Sequence, residues 1–529
     1  MTPQAFRKYC ALVTQFDHHW AFLTCRESLE YAADLYLDAS KAEKTAKVDE
    51  LIKEMGLTSC ENTRCGNQFI QGMSNGQRRR LSLALALIKE PMLLFLDEPT
   101  SGLDAAAAAS IMAFLKELAA KRNIIICCTI HQPSTAVFDG FDGTMVLSSG
   151  KIAYNGAAAN VVSYVNEIGK PMPPNTNPAE YLLDLVNREF TDPKEVDEVM
   201  AAWDKRAVAQ PAVTEYNVPE RGDYGNSFVN QFMVLMRRHS VLTVRDPSLY
   251  LGRLVMMIFS CIFFCLVYWE ARQREQDQAL YRMWLMLWTV GVPTNLAVIA
   301  VFAFNMEFNS LKREIRDGMF HPLAFLISNF ILQIPLLLIM ALATLGVSTF
   351  AISNFYGTNF LVYWIVFTMV LLCFECMAQA LSVQFDNPLI GMLAFMNNWF
   401  TSFLFSGLVV AEADVMWPFR IFNYCLPFRY GISALTKVEY DKDVTFGGAV
   451  VADNELGFSC PELSDLQCYG RTGDQVLKTL SNSYKSLSPD TNILEMILAI
   501  LAISAVFKVL YFINFYRKTT AMHQPKATK

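Results

Sequence analysis

Two adjacent carboxylates, Asp97 and Glu98, close a short apolar run, Met92–Leu96. Such a run is fit for a buried parallel strand. A strand that delivers two carboxylates at its C-terminal edge supplies what a Mg2+–nucleotide site needs, one to hold the metal and the next to orient or activate an attacking water. The pattern alone is also an ordinary strand end, so its weight comes from its neighbours. Upstream, Ser74-Asn75-Gly76-Gln77 opens the helical run RRRLSLALALIKE. Small residues and glycine at a helix N-terminus let backbone N–H groups approach an anion, and the helix dipole favours a phosphate there; Ser74 also suits a plain N-cap. Downstream, Pro99-Thr100-Ser101-Gly102-Leu103-Asp104 turns into an alanine-rich helix. A second β-rich run, Ile124–Thr129, ends at His131-Gln132-Pro133-Ser134, which sets a histidine just past a strand terminus.

The elements that must position these groups form a soluble α/β half ending near Asp246; most of the remaining chain reads as membrane. Of the 529 residues, 53% are hydrophobic and 18% charged, which excludes a disordered chain, a collagen-like repeat and a small disulfide scaffold. Apolar runs long enough to cross a bilayer lie at Tyr250–Trp269, Met283–Phe304, Ala324–Ile352, Phe360–Val383, Leu389–Val410 and Ile493–Phe512, so the pattern predicts six spans. Pro335 is expected to kink the third, with Gln333 or neighbouring helices satisfying the freed carbonyl. Basic clusters at Arg237, Arg238, Arg245 and Arg253, at Lys312, Arg313 and Arg316, and at Arg517 and Lys518 all fall on one side, assigned to the cytoplasm with both termini. Thr436–Asp490 then faces outside, where Cys460 and Cys468 are expected to pair. The proline-broken aromatic stretch Glu412–Tyr430 reads as a re-entrant or interfacial element. Glu375 with Gln379, Asn397 with Asn398, and Lys508 are polar groups within spans. Each reads as functional or as interhelical hydrogen bonding, and Lys508 also as a snorkelling lysine.

Formal net charge is -6, with 44 Lys and Arg against 50 Asp and Glu, so no basic domain argues for nucleic acid. The N-terminal stretch MTPQAFRKYCALVTQF lacks the basic and apolar regions of a secretory signal. The 13 cysteines are scattered, and Cys60/Cys65 and Cys127/Cys128 lack the further Cys or His a zinc site needs.

SNGQRRR, LLFLDEPTSGLD and TIHQPS, in this order and before a six-span apolar domain, resemble an ATP-binding cassette transporter of the G family, which includes the pleiotropic drug resistance group. The resemblance covers nearly the whole chain. It implies a P-loop-type α/β nucleotide-binding domain followed by an all-α six-helix membrane domain, with ATP and Mg2+ as cofactors. It further implies that Gln15 in VTQFD is the Q-loop glutamine, contacting Mg2+ and water, and that Ser74, Asn75, Gly76 and Gln77 form the signature loop, Asn75 departing from the usual glycine. Asp97 takes the Walker B role, Glu98 the catalytic base, Asp104 the D-loop and His131 the switch histidine; NPAEYLLD at Asn177–Asp184 resembles the segment ending the nucleotide domain. Glu307, Arg313, Glu314, Gly318 and Pro335 match the family's coupling region. FSGLVV implicates Leu408 and Val409 in an apolar plug, and position relative to these motifs puts Asn295, Trp399 and Phe403 at a substrate cavity.

No G-x-x-x-x-G-K-[ST] loop occurs in the chain: Gly150-Lys151 is followed by Ile and Gly169-Lys170 by Pro. In the family that loop precedes the Q-loop. The expectation is therefore a nucleotide-binding domain truncated at its front, able to offer Ser74–Gln77 and Asp104 to a partner's nucleotide but not to hold its own. Either the sequence is an incomplete version of an active half-transporter, or it is a degenerate subunit that needs an intact partner. The expected division is a nucleotide domain over residues 1–200, a linker and connecting helix over 201–246, a membrane domain over 247–519 with an external loop at 436–490, and a tail over 520–529. The expected function is ATP-driven export of a hydrophobic or amphipathic substrate, a lipid, sterol or drug. It would be carried out by a homo- or heterodimer in the bilayer, at the plasma membrane; the alternative is an incomplete subunit that complements or regulates a partner.

Overall fold

The computed structural model describes residues 3–67, 70–101, 105–189, 191–206, 224–353, 358–453, 457–464 and 467–520. Asp104 lies outside the described residues. The chain forms two compact units, Met1–Asn226 with Asp317–Met319, and Ser227–Arg316 with Phe320–Lys529.

In the first unit α1 (Pro3–Tyr9) leads into β1 (Cys10–Val13), and α2 (Cys25–Tyr36), α3 (Lys41–Glu54) and α4 (Asn75–Ile88) precede β2 (Leu93–Asp97). The helix α5 (Ala105–Arg122) then returns the chain to β3 (Ile125–Thr129). The three strands form a parallel sheet in the order β1-β2-β3, with Val13 opposite Leu96 and Asp97 opposite Thr129. Parallel pairing with crossovers leaves all the C-terminal strand ends on one edge, where ligands bind in such sheets. Three helices start where the sequence writes a capping box, Thr24 with Glu27, Ser40 with Glu43 and Ser74 with Gln77, each box satisfying two otherwise orphan N–H groups. Leu29, Leu35, Leu51, Leu81 and Leu87 bury the inner faces of α2, α3 and α4, and Leu94 of β2 is buried likewise. Each such burial contributes about 1.5–3 kcal/mol. After β3 come α6 (Thr135–Phe138), the antiparallel hairpin β4 (Gly143–Ser148) and β5 (Lys151–Ala157), then α7 (Val161–Glu167), α8 (Pro178–Val186) and α9 (Pro193–Lys205). These share a second core around Tyr154, Tyr164, Val165 and Val196.

The second unit begins with α10 (Phe228–Arg245) and a π-helical turn, Pro247–Gly252, followed by α11 (Arg253–Val267), α12 (Ala279–Asn295), α13 (Val298–Arg316), α14 (Pro322–Ser348), α15 (Thr358–Gln384) and α16 (Pro388–Leu404). Two shorter helices, α17 (Ile421–Cys425) and α18 (Pro427–Glu439), precede the strand pair β6 (Val450–Val451) and β7 (Phe458–Ser459), and α19 (Gly473–Ser483) and α20 (Ile493–Thr520) complete the unit. Its core runs through Met283, Phe367, Phe374, Phe395, Phe428 and Ile432.

Three sequence expectations change. Among the described residues, five helical stretches rather than six are long and apolar enough to cross a membrane: Leu249–Val267, Gln276–Arg316, Pro322–Ser348, Asn359–Gln384 and Ile493–Thr520. The expected fifth span falls short because α16 stops at Leu404, after 17 residues. There Phe405 N–H closes onto Thr401 and Phe403 carbonyls, and Gly407, at φ +85°, turns away with no room for a Cβ against Ser486. The connecting helix α10, expected in a linker, belongs to the second unit, because Arg238 on it forms a buried bidentate pair with Glu314 at 3.0 and 2.8 Å. Finally, α14 runs unbroken through Pro335, and Gln333 does not satisfy the freed carbonyl: its Nε2, the atom that could donate to it, makes no hydrogen bond, while its oxygen accepts from Lys508.

Candidate functional site

At the C-terminal edge of the parallel sheet, three strand ends bring Gln15, Asp97, Glu98 and Thr129 together. Thr129 Oγ1, at the end of β3, donates to Asp97 Oδ1 at 2.7 Å and accepts from the Glu98 amide at 3.0 Å. Gln15, just past β1, donates from Nε2 to Glu98 Oε2 at 2.7 Å. Glu98 holds φ +45°, a backbone region a non-glycine residue enters at a cost and that clusters at functional sites. Behind this row Arg79 of α4, 5% exposed, donates to the Thr14 carbonyl at 2.5 Å and the Asp97 carbonyl at 2.8 Å, and lies 3.4 Å from Asp17. One guanidinium thus ties the turn after β1 to the end of β2, a use of its planar fork that lysine does not match.

Ser74 caps α4, and Asn75, Gly76 and Gln77, expected with it as the signature loop, form its first turn. Ser74 Oγ accepts from Gln77 N, and Gln77 Oε1 accepts from Ser74 N at 2.9 Å. Ser74 and Asn75 are exposed, and a Cβ built on Gly76 meets nothing within 4 Å. The protein's own packing therefore does not require glycine at this position. His131 is exposed beyond β3, followed by Gln132 at φ +46°. Asn177 Nδ2 donates to the Pro133 carbonyl at 2.7 Å while its Oδ1 caps α8, so the NPAE segment fastens the turn that carries His131.

The donor chemistry suits Mg2+, a hard cation that takes a few carboxylate and carbonyl oxygens and keeps water. Asp97 is exposed and gives only part of its acceptor capacity to Thr129, and Gln15 Oε1 makes no hydrogen bond within the row. Asp97 and Gln15 are the residues that would hold the ion, with Glu98 beside them.

In the second unit the residues expected to serve coupling separate. Glu314 is paired with Arg238, and Glu307 lines a small polar cavity with His239, Thr243, Asp246, Tyr250 and Asn329. Arg313 is half-buried on the same helix. Burial and the neighbouring Arg238 hold the His239 imidazole well below its ordinary range. Of the residues expected at a substrate cavity, Trp399 stacks on Phe403 with centroids 5.4 Å apart and donates from Nε1 to Thr294 Oγ1 at 3.1 Å, while Asn295 Nδ2 donates to Met396 Sδ at 3.5 Å. Leu408 is buried, whereas Val409 is 43% exposed. Cys460 and Cys468 are joined by a disulfide with Cα atoms 5.8 Å apart.

Comparison with known proteins finds matches in both units. A family model described as ABC transporter matches residues 1–101, and two described as ABC-2 type transporter match residues 131–221 and 230–440. The chain is 24% identical over 540 residues to ABC transporter G family member 4 of Dictyostelium discoideum, covering 97% of this chain and 63% of that protein. It is 26% identical to ATP-binding cassette sub-family G member 8 of Rattus norvegicus, covering 83% and 68%, and 29% identical to ABC transporter G family member 1 of Petunia hybrida, covering 82% and 71%. The chain belongs to the G family of ATP-binding cassette transporters. It spans less than two thirds of the length of the Dictyostelium relative. With its apolar helices and ABC-2 membrane domain, this G-family chain is an integral membrane protein.

Several residues that organise the G-family chain carry little sequence signal. Thr129 and Arg79 offer no motif beyond lying beside one. The partners of the membrane carboxylates are equally silent: Arg253 holds Glu375 at 3.1 and 2.7 Å, and Arg282 holds Glu439, with all four side chains buried. In the sequence Arg253 reads as a topology charge, and the Glu375 stripe is the signal that points to a buried partner.

Proposed function

We propose that this chain is a half-transporter that couples ATP hydrolysis to export of a hydrophobic or amphipathic molecule, a lipid, sterol or drug-like compound, working as a homo- or heterodimer. The carrying observation is the hydrogen-bonded row Gln15–Glu98–Thr129–Asp97 at the sheet edge. ATP with Mg2+ supplies the phosphoanhydride bond whose cleavage drives the cycle. Asp97 and Gln15 would hold the ion, and Ser74, Asn75, Gly76 and Gln77 would face a phosphate with the first turn of α4. Glu98 Oε2 is the atom that accepts a proton from water, and Gln15 Nε2 must first release it, because in this structure that oxygen already accepts a hydrogen bond. His131, exposed past β3, and Asp104 complete the residues assigned to this face. Glu307, Arg313 and Glu314 are assigned to coupling. Asn295, Trp399 and Phe403, with Leu408 and Val409, are assigned to the substrate path. The side bearing the basic clusters is read as cytoplasmic, in the plasma membrane.

A second reading, a subunit that lends its signature loop to a partner's nucleotide, is favoured by the open environment of Gly76. ATPase measured on the full chain in nanodiscs, alone and mixed with an intact G-family relative, separates the two. Activity of the chain alone that falls on Glu98→Gln supports the first. Activity found only in the mixture and lost on Gly76→Ala supports the second. No activity in either mixture overturns both.

A further inference from the structure

The strongest unexplained feature of the second unit is Lys508 on α20. Its place in the sequence allows it to snorkel to the headgroups; instead it is 9% exposed and turns inward. Its Nζ donates to Gln379 Oε1 at 2.5 Å and to Gln333 Oε1 at 3.2 Å. An ammonium carries three donors and accepts nothing, so one remains. Gln333 is 1% exposed, and its Nε2 has no hydrogen-bond partner, whereas Gln379 Nε2 is used by Asn329 Oδ1 at 3.0 Å. Donors left over from two side chains therefore meet at Lys508.

No carboxylate balances them. Glu375, one turn from Gln379 on α15, is taken bidentately by Arg253, and among the described residues Lys508 enters no ion pair. The Arg253–Glu375 pair cancels, which leaves the cluster one positive charge in excess. Three rings, Phe330, Tyr511 and Phe512, lie 4.9, 5.3 and 5.8 Å from Nζ and offset part of the cost. Burying a cation without a counter-ion is nevertheless expensive, and more so in a bilayer.

We propose that Lys508 and Gln333, oriented by Gln379, form a site for the oxyanion of an anionic lipid, a carboxylate or phosphate, inside the membrane. The inference goes beyond the transport reading and does not depend on it. Lys508 lies six residues along α20 from Asn514, whose Nδ2 donates to Gln384 Oε1 at 2.8 Å at the basic end of the unit. At 1.5 Å per residue this is about 9 Å, within reach of a headgroup drawn below the interface or of a fatty-acid carboxylate. Phe330 and Phe512 are only half-buried, and their rings give an acyl chain apolar walls that a free inorganic anion would not use.

The test embeds the full chain in nanodiscs of phosphatidylcholine alone, or of phosphatidylcholine doped with phosphatidylserine or oleate, and reads retained lipid by native mass spectrometry alongside the thermal midpoint. The wild-type chain retains the anionic lipid. Lys508→Met reduces that retention about tenfold or more, the size of one lost charge-assisted hydrogen bond. Gln333→Leu reduces it less, Lys508→Arg preserves it, and Lys518→Met, at the surface, does not change it. In phosphatidylcholine alone Lys508→Met melts no lower than wild type, while phosphatidylserine raises only the wild-type midpoint. Equal destabilisation by Lys508→Met in both lipids with unchanged retention would mean that Lys508 serves only interhelical bonding, and overturns the proposal. So does a wild-type midpoint that follows free chloride or phosphate but not lipid composition. If Lys508→Met does not fold, unchanged retention in Gln333→Leu overturns it.

Discussion

Thr129 and Asp97 face each other across β3 and β2, and Thr129 Oγ1 donates to Asp97 Oδ1 at 2.7 Å while the amide of the next residue, Glu98, donates back to Oγ1 at 3.0 Å. One hydroxyl therefore holds both the carboxylate proposed to bind the metal and the backbone of the residue proposed as base. Outer-shell partners of this kind typically change affinity or activity by about 10–100-fold when removed.

Thr129→Val, which keeps the β-branched shape and deletes the hydroxyl, should lower ATPase turnover by about 10–100-fold, with the melting temperature little changed because the site is exposed. Thr129→Ser should restore most of the loss. Turnover measured with thermal denaturation of the same samples checks this, and equal loss in Val and Ser variants would rule out the hydroxyl as the cause.

Gly76→Ala should leave stability within about 0.5 kcal/mol, the range of ordinary surface substitutions, since the new methyl meets nothing within 4 Å. The same substitution should abolish activity if a phosphate closes onto the first turn of α4. A melting curve shifted downward would show that glycine serves the fold instead.

How much of the site is legible in the sequence depends on how local each signal is. Asp97, Glu98 and the Ser74–Gln77 cap announce themselves because strand-end and capping patterns span only a few residues, and the capping box appears at Ser74. Their convergence with Gln15 is available only through resemblance, since parallel pairing joins residues 83 apart in the chain. Arg253 with Glu375, separated by 122 positions, lies beyond any local pattern. The span count fails at α16 for a related reason: hydropathy sees the apolar run to Val410 but not Ser486, which comes back against Gly407.

Arg253→Met alone strands the Glu375 carboxylate, and Glu375→Gln alone strands the guanidinium; each should cost about 3–5 kcal/mol, the usual result of breaking a buried pair from one side. Replacing both with apolar residues of similar volume should cost far less. A double-mutant cycle on thermal or denaturant midpoints tests this, and additive losses would show that the two side chains act independently.

His239 gives a pH dependence with a definite sign. Its ring stands edge-on to Phe325 with centroids 5.1 Å apart, and burial together with Arg238 lowers its pKa well below the ordinary value. A histidine whose folded pKa is depressed binds fewer protons folded than unfolded once pH falls below the unfolded value of about 6.5. Its contribution is thus fully present above that pH and is lost progressively as the medium is acidified toward the folded pKa. The His239 contribution to the melting temperature, read as the difference between wild type and His239→Phe with Asp246 and Glu307, the carboxylates sharing the cavity, left in place, should be flat from neutral pH upward and fall below about 6.5. An identical acid slope in wild type and His239→Phe would show that this imidazole does not set it.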